Sequence, residues 1–148
     1  IKILKNNNTE ATFFIDGNFI ESNKELVQKI NDYGNYIGNL GYNEKYDSVK
    51  LKYTNSLIYQ IGKYKNKYCY SDDNNDILNN CKKENMYTIK GININSNNVY
   101  ANLKNNLSNG KILRFNTDNY TVNNLDLMIK YIKQKGYKIT SLDNLIKE

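Results

Sequence analysis

The sequence contains no histidine, no proline and no tryptophan, and it has two cysteines and a single arginine, Arg114. Without histidine, Ser-His-Asp hydrolysis and a histidine-activated cysteine nucleophile are both excluded. Two cysteines without a histidine do not complete a four-ligand zinc site. Cys81 falls on the apolar face of a predicted helix, so we expect buried free thiols, with a disulfide between Cys69 and Cys81 as the alternative.

Long apolar runs are also missing. No stretch approaches the roughly 18 apolar residues that cross a bilayer, so no membrane span is predicted. Residues 1–5 are too short for a secretory signal peptide, and no small-residue cleavage site follows them, so none is expected. No Pro/Ser-rich linker divides the chain, and we expect residues 1–148 to form a single domain.

The net charge of +6 is spread along the chain, because the lysines are interspersed with Asp and Glu. Arginine, which forms bidentate contacts with phosphate, is nearly absent, so nucleic acid is not an expected partner. The abundant Asn, Lys, Ile and Tyr are encoded by A/T-rich codons, which makes an A/T-rich genome the simplest explanation of this composition. A basic module that binds anionic cell-wall polymer stays open as one functional hypothesis.

What the sequence does contain is an alternation of β-rich runs and amphipathic helical patterns. Strands are predicted at residues 11–15, 36–37, 68–70, 86–94, 112–115 and 137–140. Helices are predicted by apolar spacing over residues 24–33, 48–62, 77–81, 99–107 and 125–132. Asn23 and Ser48 are the predicted N-caps of the first two, and Asp16-Gly17 predicts a turn. This alternation favours parallel βαβ units, in an incomplete barrel or a doubly wound sheet.

The first predicted helix shows how the apolar face is assigned. Its four apolar positions at helical spacing are Leu26, Val27, Ile30 and Tyr33. We expect this face to pack against the sheet.

Five segments carry a family pattern: residues 11–17 (ATFFIDG), 23–34 (beginning NKELV), 36–39 (YIGN), 110–113 (GKIL) and 135–142 (KGYKITSL). In this order and spacing they resemble the polysaccharide deacetylase family, which is the NodB-homology or family 4 carbohydrate esterase family. The resemblance implies an α/β fold, a distorted and mostly parallel (β/α) barrel of about seven strands. It also implies a sugar-binding groove across the C-terminal ends of the strands. The family's first strand is expected upstream of Ile1, which would leave an open sheet edge beside residues 11–15.

The residues that carry the family's chemistry are replaced. Members have an H-S/T-x-x-H metal motif after I-G-N, and here residues 40–44 read LGYNE. Leu40 has no lone pair to donate, and Glu44 alone is a weak substitute for two imidazoles. The aspartates of the family's T-F-D-D-G strand are expected outside this chain. The R-x-P-x-G loop falls near residues 68–72, which contain neither Arg nor Pro, and the late catalytic histidine aligns with Asn116.

Two other site patterns are weaker. Asp72, Asp73 and Asp76 lie among asparagines, but a calcium loop would add a central glycine and a distal glutamate, so a helix-capping loop is the preferred interpretation. Gly38-x-x-Gly41 lacks the lysine and the helix start that phosphate binding requires.

The functional prediction is therefore a deacetylase-like domain without catalytic residues, metal or cofactor. Its former active-site positions, which we expect to line the groove, are Leu40, Tyr42, Glu44, Tyr70 and Asn116. Expected partners are a glycan containing N-acetylglucosamine, and a protein partner or swapped copy that covers the open edge. The resemblance implies an extracellular or cell-envelope location. The alternative is a fragment of an active N-acetyl-polysaccharide or peptidoglycan deacetylase.

Overall fold

The computed structural model describes residues 1–94 and 98–146. The helices are α1 (Lys2–Asn6), α2 (Gly17–Ser22), α3 (Lys24–Asp32), α4 (Ser48–Gly62), α5 (Asn75–Lys83), α6 (Val99–Asn106), α7 (Asn119–Gln134) and α8 (Leu142–Leu145). The strands are β1 (Thr12–Ile15), β2 (Tyr36–Asn39), β3 (Tyr68–Tyr70), β4 (Tyr87–Ile89), β5 (Ile92–Asn93) and β6 (Leu113–Arg114). The chain divides into a central unit, Ala11–Lys90, and a terminal unit, Ile1–Glu10 with Gly91–Glu148.

The central unit is a four-stranded parallel sheet in the order β1-β2-β3-β4. In its register Ile15 lies opposite Asn39, and Asn39 lies opposite Cys69. Successive strands are connected by helices, as parallel pairing requires. The β-branched and aromatic run TFFI accounts for β1, since such side chains suit a half-buried pleated strand.

Apolar side chains from the sheet and its helices form the core of the central unit. In α3, Val27 and Ile30 are buried at helical spacing, and in α4 the buried apolar residues are Leu51, Leu57 and Ile58. Leu26 and Tyr33, which were expected on the buried face of α3, are instead 44% and 45% exposed. The apolar face of α3 is therefore narrower than its sequence pattern suggests.

Cys69 and Cys81 form a disulfide between β3 and α5, and both side chains are buried. They pack with Leu51 and Met86, and Tyr46 and Ile77 lie against this cluster. The expectation of free thiols is wrong, and the alternative holds. Packing α5 on the sheet brings the two Cα atoms to 6.1 Å, within disulfide range.

The terminal unit contains the parallel pair β5-β6, in which Ile92 lies opposite Leu113. Its core consists of Ile94, Val99, Leu103, Met128 and Ile132, contributed mainly by α6 and α7. The N-terminal segment is tied to α7 through Asn7, whose side-chain amide donates to Asp126 Oδ1 at 2.8 Å. The Lys133 ammonium also donates to the Asn7 carbonyl.

The fold class is confirmed as α/β with mostly parallel sheets. The described residues form a four-stranded and a two-stranded sheet, and a closed seven-stranded barrel is not confirmed. Short strands contribute to this difference, because β5 and β6 have two residues each. Among the described residues no helix has the length and apolar character needed to cross a membrane.

Two local predictions are wrong because the backbone conformation differs from the one that the sequence pattern indicates. The turn predicted at Asp16-Gly17 is the start of α2, because the Asp16 carboxylate caps that helix by accepting from the Asn18 N–H at 2.8 Å. The single strand predicted over residues 86–94 is broken at Gly91, whose φ of +73° interrupts extended backbone. The two halves pair in different sheets.

Two further predictions need correction. Residues 137–140 form no strand. Tyr137 and Ile139 instead pack by their side chains against the core of the terminal unit. The N-cap of α4 is Asp47, whose side chain accepts from the Lys50 N–H, and Ser48 is the first helical residue.

Candidate functional site

The candidate site lies at the carboxyl ends of β1 and β2, the edge where parallel sheets commonly bind ligands. Beyond the ends of β1 and β2, the two backbone segments that follow remain hydrogen-bonded to each other. The Leu40 N–H donates to Ile15 O at 3.2 Å, and the Gly17 N–H donates to Gly41 O at 2.8 Å. These bonds place Asp16 beside the segment in which the family has its metal motif.

That segment folds into a tight turn. Tyr42 and Lys45 exchange two backbone hydrogen bonds, and the residues between them, Asn43 and Glu44, have φ values of +49° and +62°. Two central residues with positive φ define a type I′ turn, which asparagine tolerates well. The Glu44 N–H donates to Asp16 Oδ2 at 3.3 Å, so the turn is attached to the end of β1.

The buried side-chain amide of Asn39 anchors the turn. Asn39 is fully buried, and its side-chain oxygen accepts from the Gly41 N–H at 2.8 Å. Its amide donates to Leu51 O at 2.9 Å and to Asn55 Oδ1 at 2.8 Å. Thr54, also fully buried, donates to Gly41 O at 3.0 Å. The sequence Gly-Asn at the end of β2 is therefore anchored to α4.

An open depression of about 560 Å³ lies beside this turn. Its lining consists of Asp16, Asn18, Phe19, Ser22, Asn23, Asn43 and Glu44. The lining is therefore carboxylates, amides, a hydroxyl and one aromatic ring, and Phe19 is 44% exposed. The sequence interpretation missed Phe19 and Asn18, since both lie on α2, which was taken for a turn. The capping pattern Asp16-Gly-Asn was the available signal.

The five sequence-predicted groove residues have different environments. Glu44 is exposed and lines the depression, and Leu40 is half-buried behind the turn. The ring of Tyr42 packs against Tyr53 at 5.7 Å between centroids, on the side of α4. Tyr42 is not among the residues that line the depression.

The other two predicted residues lie farther along the chain. The Tyr70 ring contacts that of Phe14, with centroids 6.1 Å apart. Asn116 is exposed and belongs to the terminal unit.

Tyr46 is a further residue that sequence reasoning missed. Burial of its ring, followed by the charges of Asp16 and its neighbours, raises the pKa of Tyr46 to about 12. The phenol is therefore a neutral donor at the carboxyl edge at any physiological pH. No sequence motif pointed to it.

Glu21 on α2 affects two more tyrosines. A side-chain hydrogen bond with Glu21 is the main cause that raises the pKa of Tyr42. Burial and then the Glu21 charge raise the pKa of Tyr53. Lys50 lies 4.8 Å from the centre of the Tyr42 ring, a cation–π distance. The cluster holds the Tyr42 ring on the side of α4.

The donor set at the carboxyl edge does not fit the family's metal. Asp16 and Glu44 supply carboxylate oxygens, but Leu40 supplies none, and the sequence contains no imidazole. Within residues 1–94 and 98–146, no three His, Cys, Asp or Glu side chains are grouped as metal ligands.

The acidic loop before α5 has a structural role. Asn74 caps α5 by accepting from the N–H groups of Asp76 and Ile77, and Asp73 pairs with Lys90. The preferred interpretation, a helix-capping loop, agrees with this geometry.

A parallel α/β unit with a polar depression at the carboxyl edge of its strands is typical of enzymes and binding proteins that act on polar ligands. The polysaccharide deacetylase family model matches residues 1–84. The chain belongs to the polysaccharide deacetylase family. No curated protein sequence matches the chain.

Three solved structures show the same fold. A family 4 carbohydrate esterase pseudoenzyme from Bacillus anthracis has a TM-score of 0.88 and 22% identity, covering 99% of this chain and 59% of that one. A family 4 carbohydrate esterase from Bacillus anthracis has a TM-score of 0.83 and 22% identity, covering 98% and 72%. The peptidoglycan deacetylase PdaC from Bacillus subtilis has a TM-score of 0.80 and 18% identity, covering 97% and 79%. The chain thus spans about three fifths of the length of the pseudoenzyme.

Proposed function

We propose that this chain is a polysaccharide-deacetylase-like domain that binds glycan at the cell envelope without deacetylating it. The observation that carries the proposal is the tight turn at residues 40–44. Where the family has two metal-binding histidines, this segment has Leu40 and Glu44, and it contributes Asn43 and Glu44 to the lining of the depression. The structurally similar proteins include a pseudoenzyme as well as a peptidoglycan deacetylase. This supports the proposal that a domain of this fold binds glycan without catalysing its deacetylation.

Deacetylation needs several chemical groups at once. The acetamide carbonyl must be polarised, a water must be activated and the departing amine must be protonated. Asn116, at the position of the family's acid, donates hydrogen bonds but delivers no proton. Glu44 as a lone acid or base would supply a factor of about 10² to 10⁴, far less than the reaction requires.

Acetate release tests the inactive state directly. The chain is incubated with N-acetylglucosamine oligomers and with peptidoglycan, and we expect no acetate above background. Binding of the same oligomers is measured by calorimetry. Acetate release that disappears in a Glu44→Gln variant would overturn the proposal in favour of the alternative, a fragment of an active deacetylase.

Zinc titration by calorimetry is an independent measurement. We expect no stoichiometric site at residues 40–44, because the donor set lacks nitrogen and sulfur ligands. A site tighter than about micromolar, roughly −8 kcal/mol, that is lost in Glu44→Gln would contradict this expectation.

We further propose that the chain is a single domain with a partner at its open sheet edge. Both units are taken as parts of one domain, residues 1–148, which the 97 to 99% coverage of this chain by the structural matches supports.

Within the central unit β1 is the outer strand and pairs only with β2. A protein partner or swapped copy at β1 predicts a concentration-dependent mass in sedimentation, and a monomer at all concentrations would exclude the swapped copy.

A further inference from the structure

Resting on the proposed glycan-binding function, we propose that the depression beside α2 selects an amino sugar polymer whose amine is free and protonated. The ligand class is a glucosamine-containing glycan rather than its fully N-acetylated form.

Two carboxylates lie side by side at the rim of the depression. Asp16 and Glu44 both line the depression, and the hydrogen bond from the Glu44 N–H to Asp16 Oδ2 holds the two residues side by side. Among the described residues, neither carboxylate takes part in an ion pair. An ammonium group at this rim would therefore meet two negative charges that have no cationic partner.

The charge of the depression differs from that of the whole chain. The chain carries a net charge of +6, yet the lining of the depression contains no lysine or arginine. An anionic polymer would be repelled at this place, and a neutral acetamide would gain no charge pairing there. The two carboxylates of the depression would therefore attract a cationic ligand, although the net positive charge of the whole protein opposes its approach.

The remaining side chains of the lining suit a sugar ring. Phe19 presents an exposed ring, and Asn18, Asn23 and Asn43 present amides that both donate and accept hydrogen bonds. An aromatic face beside amides suits the apolar face and the hydroxyls of a sugar ring. The carboxylates then add the preference for an amine.

The experiment compares two ligands of equal length, short β-1,4 oligomers of glucosamine and of N-acetylglucosamine. At pH 5.5 the amines of the glucosamine oligomer are protonated. We expect the glucosamine oligomer to bind about 5- to 10-fold more tightly, the range for two solvent-exposed charge pairs. Above about pH 8, where such amines lose their proton, the preference should disappear. It should also weaken in about 0.5 M salt.

Two variants separate charge from stacking. The double variant Asp16→Asn/Glu44→Gln should lose the preference and keep the weaker binding of the acetylated oligomer. Asparagine caps helices as well as aspartate does, so α2 is retained. Phe19→Ala should weaken both ligands equally.

Matched controls change the same groups elsewhere. Glu25→Gln/Asp32→Asn removes two exposed carboxylates on α3. Tyr59→Ala removes an aromatic side chain that is 55% exposed on α4. Both controls should leave the two affinities unchanged.

The outcomes distinguish this inference from the function on which it rests. If neither oligomer binds, the proposed glycan-binding function fails. If both bind equally, or if the acetylated oligomer binds more tightly, glycan binding stands and amine selection is overturned. A preference that survives the Asp16→Asn/Glu44→Gln change also overturns this site.

Discussion

The Gly41 backbone N–H donates a hydrogen bond of 2.8 Å to the side-chain oxygen of Asn39, two residues earlier in the chain. The Asn39 side chain is fully buried and also donates to Leu51 O and Asn55 Oδ1. One amide thus fixes the end of β2, the following turn and α4.

Asn39→Ala should lower the free energy of unfolding by about 2 to 4 kcal/mol, because the change leaves the buried Gly41 N–H without its partner and removes the side-chain bonds to Leu51 O and Asn55 Oδ1. Urea unfolding measures the loss. The control Asn79→Ala, at an exposed position of α5, should change stability by less than about 0.5 kcal/mol. Equal effects of the two changes would show that Asn39 is not an anchor.

Gly17→Ala should destabilise the central unit by about 1 to 3 kcal/mol through overpacking. A Cβ at this position would lie 2.4 Å from Thr54 Oγ1 and 2.7 Å from Tyr42 Cδ2. In a double-mutant cycle, part of the penalty should disappear in the Thr54→Ala background, because the nearest clashing atom is then absent. If the effects of Gly17→Ala and Thr54→Ala are strictly additive, the destabilisation does not come from the contact with Thr54.

Reduction of the Cys69–Cys81 disulfide should lower stability by about 3 kcal/mol, the chain-entropy value for a loop of this length. The measurement is urea unfolding with and without dithiothreitol. The Cys69→Ala/Cys81→Ala variant should show no effect of the reductant. A reductant effect in that variant would mean that the reagent acts on something other than this bond.

Stability should fall as pH rises from about 10 to 12, partly because of Tyr46. Its folded pKa is raised to about 12 from an ordinary 10, so its contribution is fully present below pH 10 and is lost as pH rises through the folded value. Tyr46→Phe should flatten this part of the pH profile. The profiles of the two proteins are compared by denaturant unfolding, and identical slopes would contradict the assignment.

Ser71→Ala should leave stability unchanged or raise it by up to about 1 kcal/mol. Ser71 is 2% exposed, and its hydroxyl has no hydrogen-bond partner among the described residues. Removing a buried hydroxyl without a partner removes its desolvation cost. Thermal unfolding measures the effect, and a loss above about 1 kcal/mol would reveal a partner such as an ordered water.

The sequence predicted those elements whose pattern is local. β1, β2 and β3 are short apolar or aromatic runs, and α4 carries apolar residues at helical spacing up to Gly62. The parallel pairing of these strands followed from their alternation with helices, whereas the predicted number of about seven strands in one barrel is not confirmed.

Elements that depend on tertiary contacts were missed. α2 has six residues, and it is held by the Asp16 cap and by the fully buried Ile20 rather than by its own propensity. The disulfide depends on how α5 packs on β3, which no spacing rule specifies. In the candidate site Glu44 was predicted because it lies in a family motif, whereas Phe19 and Tyr46 lie in none.

The bond between Asn7 and Asp126 has a consequence for the order in which the chain folds. The two residues are 119 positions apart, while the central unit is one continuous segment that ends at Lys90. At synthesis rates of about 5 to 20 residues per second, Asn7 waits on the order of ten seconds for α7. All residues of the central sheet, and both disulfide cysteines, are synthesised before α7. Helix α1 therefore completes its contacts with α7 only after the whole central unit has been synthesised, although α1 precedes that unit in the chain.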